Sequence, residues 1–433
     1  MDGGLPVRAP SSAARFVASG VITALAALAG CTLATTPPSD SVHIDVSSQT
    51  ALLDNAPSIV VSGLAPRSLV SIQAAAIDCN NTSYESQATF TADQQGRIDL
   101  GAVAPSSGSY SGAHDAGLLW SMAPSSNRTA YEFCVPRGGY SVSLAVRSHG
   151  EVVASRTLMR AWPGAGVSVL DERPATAGFY GEYAAPTPGG AARPAVVLFG
   201  GSDGGLYTTV EAALLAAHGY PALALAYFRE PGLPQTLQRI PLEYFARALI
   251  WLAAQPGVDR GRLVVEGASR GSEAALLLGV YYPQLVHAVI ARVTNDVVLC
   301  GITPDFRCAG PGWTLDGAAL PYTQLFDDPL PTDVPGAVIA AERIRGPILL
   351  SCGALDAVWT SCPFAHAIQE RLNSMSFAYS HQLAEYPDAG HGAGLNEAPS
   401  VPIYYAGQGG SMETTALAIT DFWSRELAFL HSL

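Results

Sequence analysis

One stretch narrows the folds open to this chain more than any other: Leu263-Val264-Val265-Glu266-Gly267-Ala268-Ser269-Arg270-Gly271-Ser272-Glu273-Ala274-Ala275-Leu276. Its first part is an apolar run of the kind that forms a short buried strand. Its last part is rich in alanine and leucine and predicts a helix. Between them stands Gly-Ala-Ser-Arg-Gly, a Gly-x-Ser-x-Gly motif. Strand, motif and helix in that order predict a strand-to-helix turn with a serine at its apex. Side chains at the two glycine positions would collide with the neighbouring strand and helix. The turn lifts the serine Oγ above the sheet, and the helix aims its first N–H groups at the same place. A loop serine before an ordinary helix is the alternative, and the strand–helix context speaks against it.

A serine hydroxyl is a weak nucleophile and needs a base, and the base needs a partner that orients it. Behind such a turn the chain order is serine, then Asp or Glu, then His. Pro347–Gly353 reads as a buried strand, and the loop after it offers Asp356. His381–Tyr386 reads as the last strand and runs into Pro387-Asp388-Ala389-Gly390-His391-Gly392, which offers His391. Both candidates fall just past the carboxyl end of a strand, where open α/β sheets build their sites. The expected roles are attack by Ser269, proton transfer by His391, and orientation of the imidazole by Asp356. Asp388 is only three residues before His391, so it reads as a residue that shapes the loop. His381 and His366 lie on a predicted strand and helix.

Strand and helix patterns alternate from about residue 175. Gly178–Ala184 reads as an edge strand. Ala195–Phe199 and Pro221–Ala226 read as strands, Val210–His218 as a helix. Leu242–Ala254 reads as an amphipathic helix with Leu242, Phe245, Leu249 and Leu252 on one face. Ala288–Arg292 is the next strand, and Met412–Leu430 a terminal helix. Such alternation predicts a mostly parallel sheet with helices on both faces, the α/β-hydrolase fold, over residues 175–433. Gly200-Gly201-Ser202-Asp203-Gly204-Gly205 follows the strand Ala195–Phe199. In that fold this loop supplies one oxyanion-hole N–H and the residue after the nucleophile supplies the other. The expected donors are Ser202, with Asp203 as the alternative, and Arg270. The loop has neither a dinucleotide fingerprint nor the Lys-Ser/Thr of a P-loop, so no nucleotide cofactor is expected.

From residue 42 to 165 the pattern is β. Seven short runs, from Val42–Val46 to Val152–Met159, alternate or carry β-branched residues, and turn residues separate them. This predicts an N-terminal, immunoglobulin-like β-sandwich. Gly117–Met122, with its leucines, Trp120 and Met122, reads as packing; a place on the rim of the site is the other reading. Pro163–Pro174 reads as a linker.

Arg8 and Arg15 precede an apolar run from Phe16 to Ala29, which is short for a membrane span and fits a signal sequence. It ends Leu28-Ala29-Gly30-Cys31, a bacterial lipobox pattern. Residues 1–31 are therefore expected to be a signal peptide with a lipidated Cys31, and 32–41 a tether; a plain secretory signal is the alternative. The expected location is outside the cytoplasm, anchored to a membrane. With Cys31 set aside, six cysteines remain. Proximity in sequence pairs Cys79 with Cys134, Cys300 with Cys308, and Cys352 with Cys362. Buried free thiols are the alternative. Neither Cys-x-x-Cys nor His-Glu-x-x-His occurs, so no metal site is expected. The formal charge is −13 and the chain has no lysine. That composition argues against a nucleic-acid partner.

The segments Gly-Leu-Leu-Trp-Ser-Met (117–122), Gly-Gly-Ser-Asp-Gly-Gly (200–205) and Ile-Pro-Leu-Glu-Tyr-Phe (240–245) are not explained by fold alone. With Gly267–Glu273, Asp356–Trp359 and Ala389–Gly392 they resemble the acyl-CoA thioesterases and bile acid-CoA:amino acid N-acyltransferases. The resemblance implies an N-terminal β-sandwich before an α/β-hydrolase domain, and Ser269, Asp356 and His391 as catalytic residues. It implies a small-molecule acyl thioester or a related ester as substrate. The family's transferases use a cysteine nucleophile, so a serine at 269 is similar to the hydrolase branch. Transfer of the acyl group to an amine or alcohol is the alternative activity, and an exported esterase without CoA specificity is another.

Overall fold

The computed structural model describes residues 41–324, 336–395 and 398–433. Cys31 and the signal and tether segments before residue 41 lie outside the described residues.

Eight strands form the central sheet: β1 (Val167–Glu172), β2 (Tyr180–Pro186), β3 (Arg193–Phe199), β4 (Ala222–Ala226), β5 (Val258–Ala268), β6 (Ala288–Arg292), β7 (Ile348–Gly353) and β8 (His381–Tyr386). Their spatial order is β1-β2-β4-β3-β5-β6-β7-β8. β2 runs antiparallel to both of its neighbours, and β3 through β8 are mutually parallel. Five helices pack on it: α1 (Thr209–Ala217), α2 (Leu242–Ala253), α3 (Arg270–Tyr281), α4 (Ser361–Ser374) and α5 (Met412–Ser432).

Strand alternation sorts the two faces. Val196 and Leu198 of β3, Val264 of β5 and Ile290 of β6 pack with Leu214 of α1 and Phe422 of α5. Ala195, Val197 and Phe199, Leu263 and Val265, and Val289 point the other way. They pack with Phe245 and Leu249 of α2, Leu276 of α3 and Ile368 of α4. Both faces are covered, which is why the central strands read as unbroken apolar runs. The four predicted core positions of α2 are fully buried.

Two expectations need correction. The segment Pro163–Pro174 is not only a linker, because Val167–Glu172 forms β1 and pairs along its whole length with β2. β1 alternates between half-buried and exposed positions, a weak pattern that an adjoining Pro-rich stretch hides. In consequence β2 is not an edge strand: it lies between β1 and β4.

The N-terminal part holds two sheets. His43–Val46, Ile59–Ser62 and Ile98–Asp99 form one; Thr50–Leu52, Glu151–Ala161, Tyr140–Ser148, Leu69–Ile77, Ser83–Thr91 and Ser107–Gly108 form the other in that order. Val61 and Ile98 from the first share a core with Ile72, Phe90 and Val142 from the second. On the outer face Gln73 and Gln87 exchange a 2.8 Å side-chain hydrogen bond. Residues 117–120 form one helical turn whose Leu118, Leu119 and Trp120 are buried in this core.

The N-terminal sheets and the half that holds the central sheet are joined by backbone and side-chain bonds. Ala130–Glu132 pairs antiparallel with Ile403–Tyr405. Buried Arg160 donates to the Leu53 carbonyl and to Ser400 Oγ. Trp162 Nε1 donates to the Val210 carbonyl, and Trp423 Nε1 to Asp54.

Candidate active site

β5 ends in the predicted turn. Ser269 has φ 56° and ψ −123°, a backbone conformation that a non-glycine residue holds only when its surroundings impose it. Those surroundings are tight. A Cβ on Gly267 would lie 2.1 Å from the Gly271 carbonyl oxygen, and one on Gly271 would lie 2.5 Å from the carbonyl oxygen of Gly200. No side chain fits either position, which is the physical content of the two glycines in the motif. The Ser269 N–H donates to the Arg292 carbonyl at 3.0 Å. Ser272 Oγ donates to the Ser269 carbonyl at 2.6 Å and closes the first turn of α3.

His391 opens a short 3-10 turn just past β8 and is buried. Its Nε2 stands 2.9 Å from Ser269 Oγ, and its Nδ1 stands 2.8 Å from Asp356 Oδ2. With a proton on Nδ1, the ring donates to the carboxylate and presents Nε2 as acceptor to the hydroxyl. The Asp356 side chain is almost fully enclosed. Its Oδ1 accepts the N–H groups of Val358 at 2.9 Å and Trp359 at 3.1 Å, leaving Oδ2 for the histidine. Trp359 stacks edge-on to the imidazole at 5.2 Å and donates its indole N–H to the Val293 carbonyl. The three residues span 122 positions in sequence and form one hydrogen-bonded chain.

The other candidates are placed elsewhere. Asp388 is exposed on the turn before His391. His366 meets Glu385 and His381 meets Asn373, both on the surface. Residues 117–122 do not line the cavity over Ser269. Ser202 and Asp203 do, and Gly201 lies directly against Ser269. Tyr227 Oη, fully buried, lies 3.0 Å from the carbonyl oxygens of both Gly200 and Gly201. Burial raises its phenol above the usual range, so it stays a donor.

The three expected disulfides are formed: Cys79–Cys134, Cys300–Cys308 and Cys352–Cys362. The last closes a ring around the Asp356 loop. Cys300–Cys308 ties a hairpin in the long insertion between β6 and β7, whose Ile302 and Phe306 line the cavity.

Three features had no place in the sequence reading. The Arg270 side chain, fully buried, pairs with Glu273 at 2.8 Å and donates to the carbonyls of Cys300 and Leu299. Glu273 also accepts the Leu299 N–H and the Trp313 indole N–H. The insertion is thus bolted to the start of α3. The i,i+3 spacing of Arg270 and Glu273 was the available signal. Second, Glu132, from the N-terminal half, lines the cavity and accepts a hydrogen bond from Tyr405 Oη at 2.9 Å. Nothing local announces such a residue. Third, Glu211, Glu266 and Glu426 bring carboxylate oxygens within 4.8 Å of one another beneath the sheet. Arg292 already supplies a cation there, 2.7 Å from Glu211 and 4.5 Å over the Phe422 ring. Burial, then the neighbouring Glu211, pushes Glu266 up to about 8; burial and Glu266 push Glu426 up as well.

Comparison with known proteins finds matches along most of the chain. Residues 54–173 match the acyl-CoA thioester hydrolase/BAAT N-terminal region. Residues 240–433 match the BAAT / acyl-CoA thioester hydrolase C terminal. Acyl-coenzyme A amino acid N-acyltransferase 1 of Mus musculus is 29% identical over 392 residues, 82% of this chain and 86% of that protein. Acyl-coenzyme A thioesterase 6 of Homo sapiens is 26% identical over 401 residues, 86% of this chain and 92% of that one. Among solved structures, an alpha/beta hydrolase enzyme from a Medee basin deep-sea metagenome library aligns over 62% of this chain and 100% of that one. Its TM-score is 0.39, with 15% identity. The two family regions lie in order along one chain and together cover well over half of it, so this protein belongs to the acyl-CoA thioester hydrolase/BAAT family.

Proposed function

We propose that this protein is a serine hydrolase that cleaves an acyl thioester or a related ester through an acyl-enzyme on Ser269. The observation that carries the reading is the unbroken hydrogen-bonded chain from Ser269 Oγ through His391 to Asp356. His391 Nε2 takes the hydroxyl proton as Oγ attacks the carbonyl carbon, and Asp356 stabilises the imidazolium. The oxyanion is received by the backbone N–H of Arg270 and by one from the 200–205 loop, for which we choose Ser202, with Asp203 as the alternative. Collapse breaks the bond to the leaving sulfur or oxygen, which takes the proton from His391. Water, deprotonated by the same ring, then releases the acid. A fluorophosphonate probe should label Ser269, with p-nitrophenyl esters and acyl-CoAs of graded length as turnover assays. Labelling that survives Ser269→Ala removes the assignment.

A second reading, transfer to an amine or alcohol, is favoured by relatives named as amino acid N-acyltransferases. The first half-reaction is the same. Product partitioning with added glycine, taurine or glycerol separates the two.

We further propose export with a lipid anchor at Cys31. Three disulfides in a chain of this size support an oxidising location. Cys31→Ser should move the protein from the membrane to the soluble fraction; a membrane fraction unaffected by the change rejects the anchor. The N-terminal sheets we class as an immunoglobulin-like sandwich.

A further inference from the structure

The cavity over Ser269 encloses about 520 Å³ and is built from both halves of the protein. Its floor carries Ser269 and His391, and Trp359, Ile302 and Phe306 supply apolar wall. Two carboxylates also line it, Glu132 and Asp203, and among the described residues no arginine does. Glu132 is not a stray surface charge. The strand pair Ala130–Glu132 with Ile403–Tyr405 holds its backbone, and Tyr405 Oη donates to its Oε2. One carboxylate oxygen is thereby fixed in direction.

The charge balance around the mouth has the same sign. Arg229 stands outside the lining, with its guanidinium donating to the Asp203 carbonyl at 2.7 Å, and Glu230 follows it in sequence. Arg307, beside Phe306, is exposed and paired with Asp305. Tyr207 on the cavity wall has its phenol pushed up, first by burial, then by the charges of Glu132 and Asp203, with Arg229 opposing. A site made for a thioester whose leaving group carries several phosphates needs cations placed to meet them. Those phosphates would lie beyond the lining, where the flanking Arg229 and Arg307 are already engaged by the Asp203 carbonyl and Asp305, while the lining itself carries acids.

We infer that Glu132 is a specificity residue of this site, and that the cavity takes acyl esters or thioesters bearing a cationic or neutral group in preference to anionic ones. The inference rests on the hydrolase reading above and narrows its substrate class. The chemistry is unchanged: Ser269 Oγ–C forms, C–S or C–O breaks, and the leaving group departs as a thiol or alcohol with the proton from His391. Glu132 makes no bond in these steps. It biases which substrates dwell there, through a charge that a partly enclosed site screens less than open water does.

The test compares three thioesters of one acyl group, chosen as the chain best accepted as a p-nitrophenyl ester. They are the thiocholine ester (cationic), the N-acetylcysteamine ester (neutral) and the CoA ester (polyanionic). At low ionic strength kcat/KM should fall in that order, by roughly fivefold or more at each step. In Glu132→Gln the thiocholine to N-acetylcysteamine ratio should move toward one, and the CoA to N-acetylcysteamine ratio should rise. A CoA ester that matches or exceeds the neutral ester overturns the inference while leaving the hydrolase reading intact. So do ratios that Glu132→Gln leaves unmoved, or an Arg229→Ala loss confined to the CoA ester. No turnover of any ester, with no fluorophosphonate label on Ser269, removes the hydrolase reading and this inference together.

Discussion

A positive φ at Ser269 matters because it sets where one oxygen atom lies. The strained turn places Oγ 2.9 Å from His391 Nε2, while Asp356 holds the far side of the ring with an oxygen that two backbone N–H groups leave available. Asp356→Asn should therefore lower kcat by roughly 10⁴ with little change in KM, since the amide favours the wrong imidazole tautomer. Pre-steady-state acylation with a p-nitrophenyl ester measures this directly. Tyr227 acts one step further out. Its hydroxyl holds the carbonyls of Gly200 and Gly201. Removing it frees the loop that we propose supplies an oxyanion donor, a donor whose complete loss costs ~10²–10³ in kcat. Tyr227→Phe should lower kcat by roughly tenfold and leave KM nearly unchanged; a KM effect alone would mean that the tyrosine binds substrate instead.

At the scale of elements, the site is assembled from segments far apart in sequence. The β6–β7 insertion meets α3 through a fully buried ion pair, Arg270–Glu273, which also satisfies two carbonyls, one N–H and one indole. Taking away one partner strands the other in a dry interior. Glu273→Gln should cost ~3–5 kcal/mol in urea unfolding, and the double change Arg270→Met with Glu273→Met should cost at least as much, because it also leaves two carbonyls, one N–H and the Trp313 indole without partners. A Glu273→Gln cost below about 1 kcal/mol would mean that the pair is solvated. The Cys352–Cys362 bond closes the loop that carries Asp356. Replacing both cysteines by alanine should lower stability by about 3 kcal/mol through the unfolded chain's entropy, read as a shift in the urea midpoint.

At the scale of the whole molecule, four elements meet in one buried charge cluster: Glu211 from α1, Glu266 from β5, Arg292 from β6 and Glu426 from α5. Three acids against one guanidinium favour a carboxyl that keeps its proton, and Glu266 is raised to about 8. The sign follows. Unfolded, the same group releases its proton near 4.5, so between about 4.5 and 8 folding takes a proton up. The stability it provides is complete below the lower value and gone above the upper one. Unfolding free energy should therefore fall as pH rises from 5 to 8, and Glu266→Gln should flatten that slope. A wild-type stability that rises across this interval would contradict the raised Glu266. The cluster also lies behind the active site, since the carbonyl of Arg292 holds the Ser269 N–H.

Much of this was legible in the chain itself. The elbow and the alternation of strand and helix are local patterns, because turn sterics, side-chain periodicity and buried-strand composition act over a few residues; Asp356 and His391 were read from the loops that follow two such strands. Cysteine spacing belongs with them. What the linear chain left open was everything that depends on packing between distant segments. β1 hid between prolines because what orders it is its pairing with β2, a separate segment. Glu132 became a wall of the cavity only when its strand paired with Ile403–Tyr405, and three glutamates became a cluster only when two helices closed over one face of the sheet. Local sequence dictates which bonds a segment can offer; the tertiary fold alone decides which groups are left facing one another once water has been excluded.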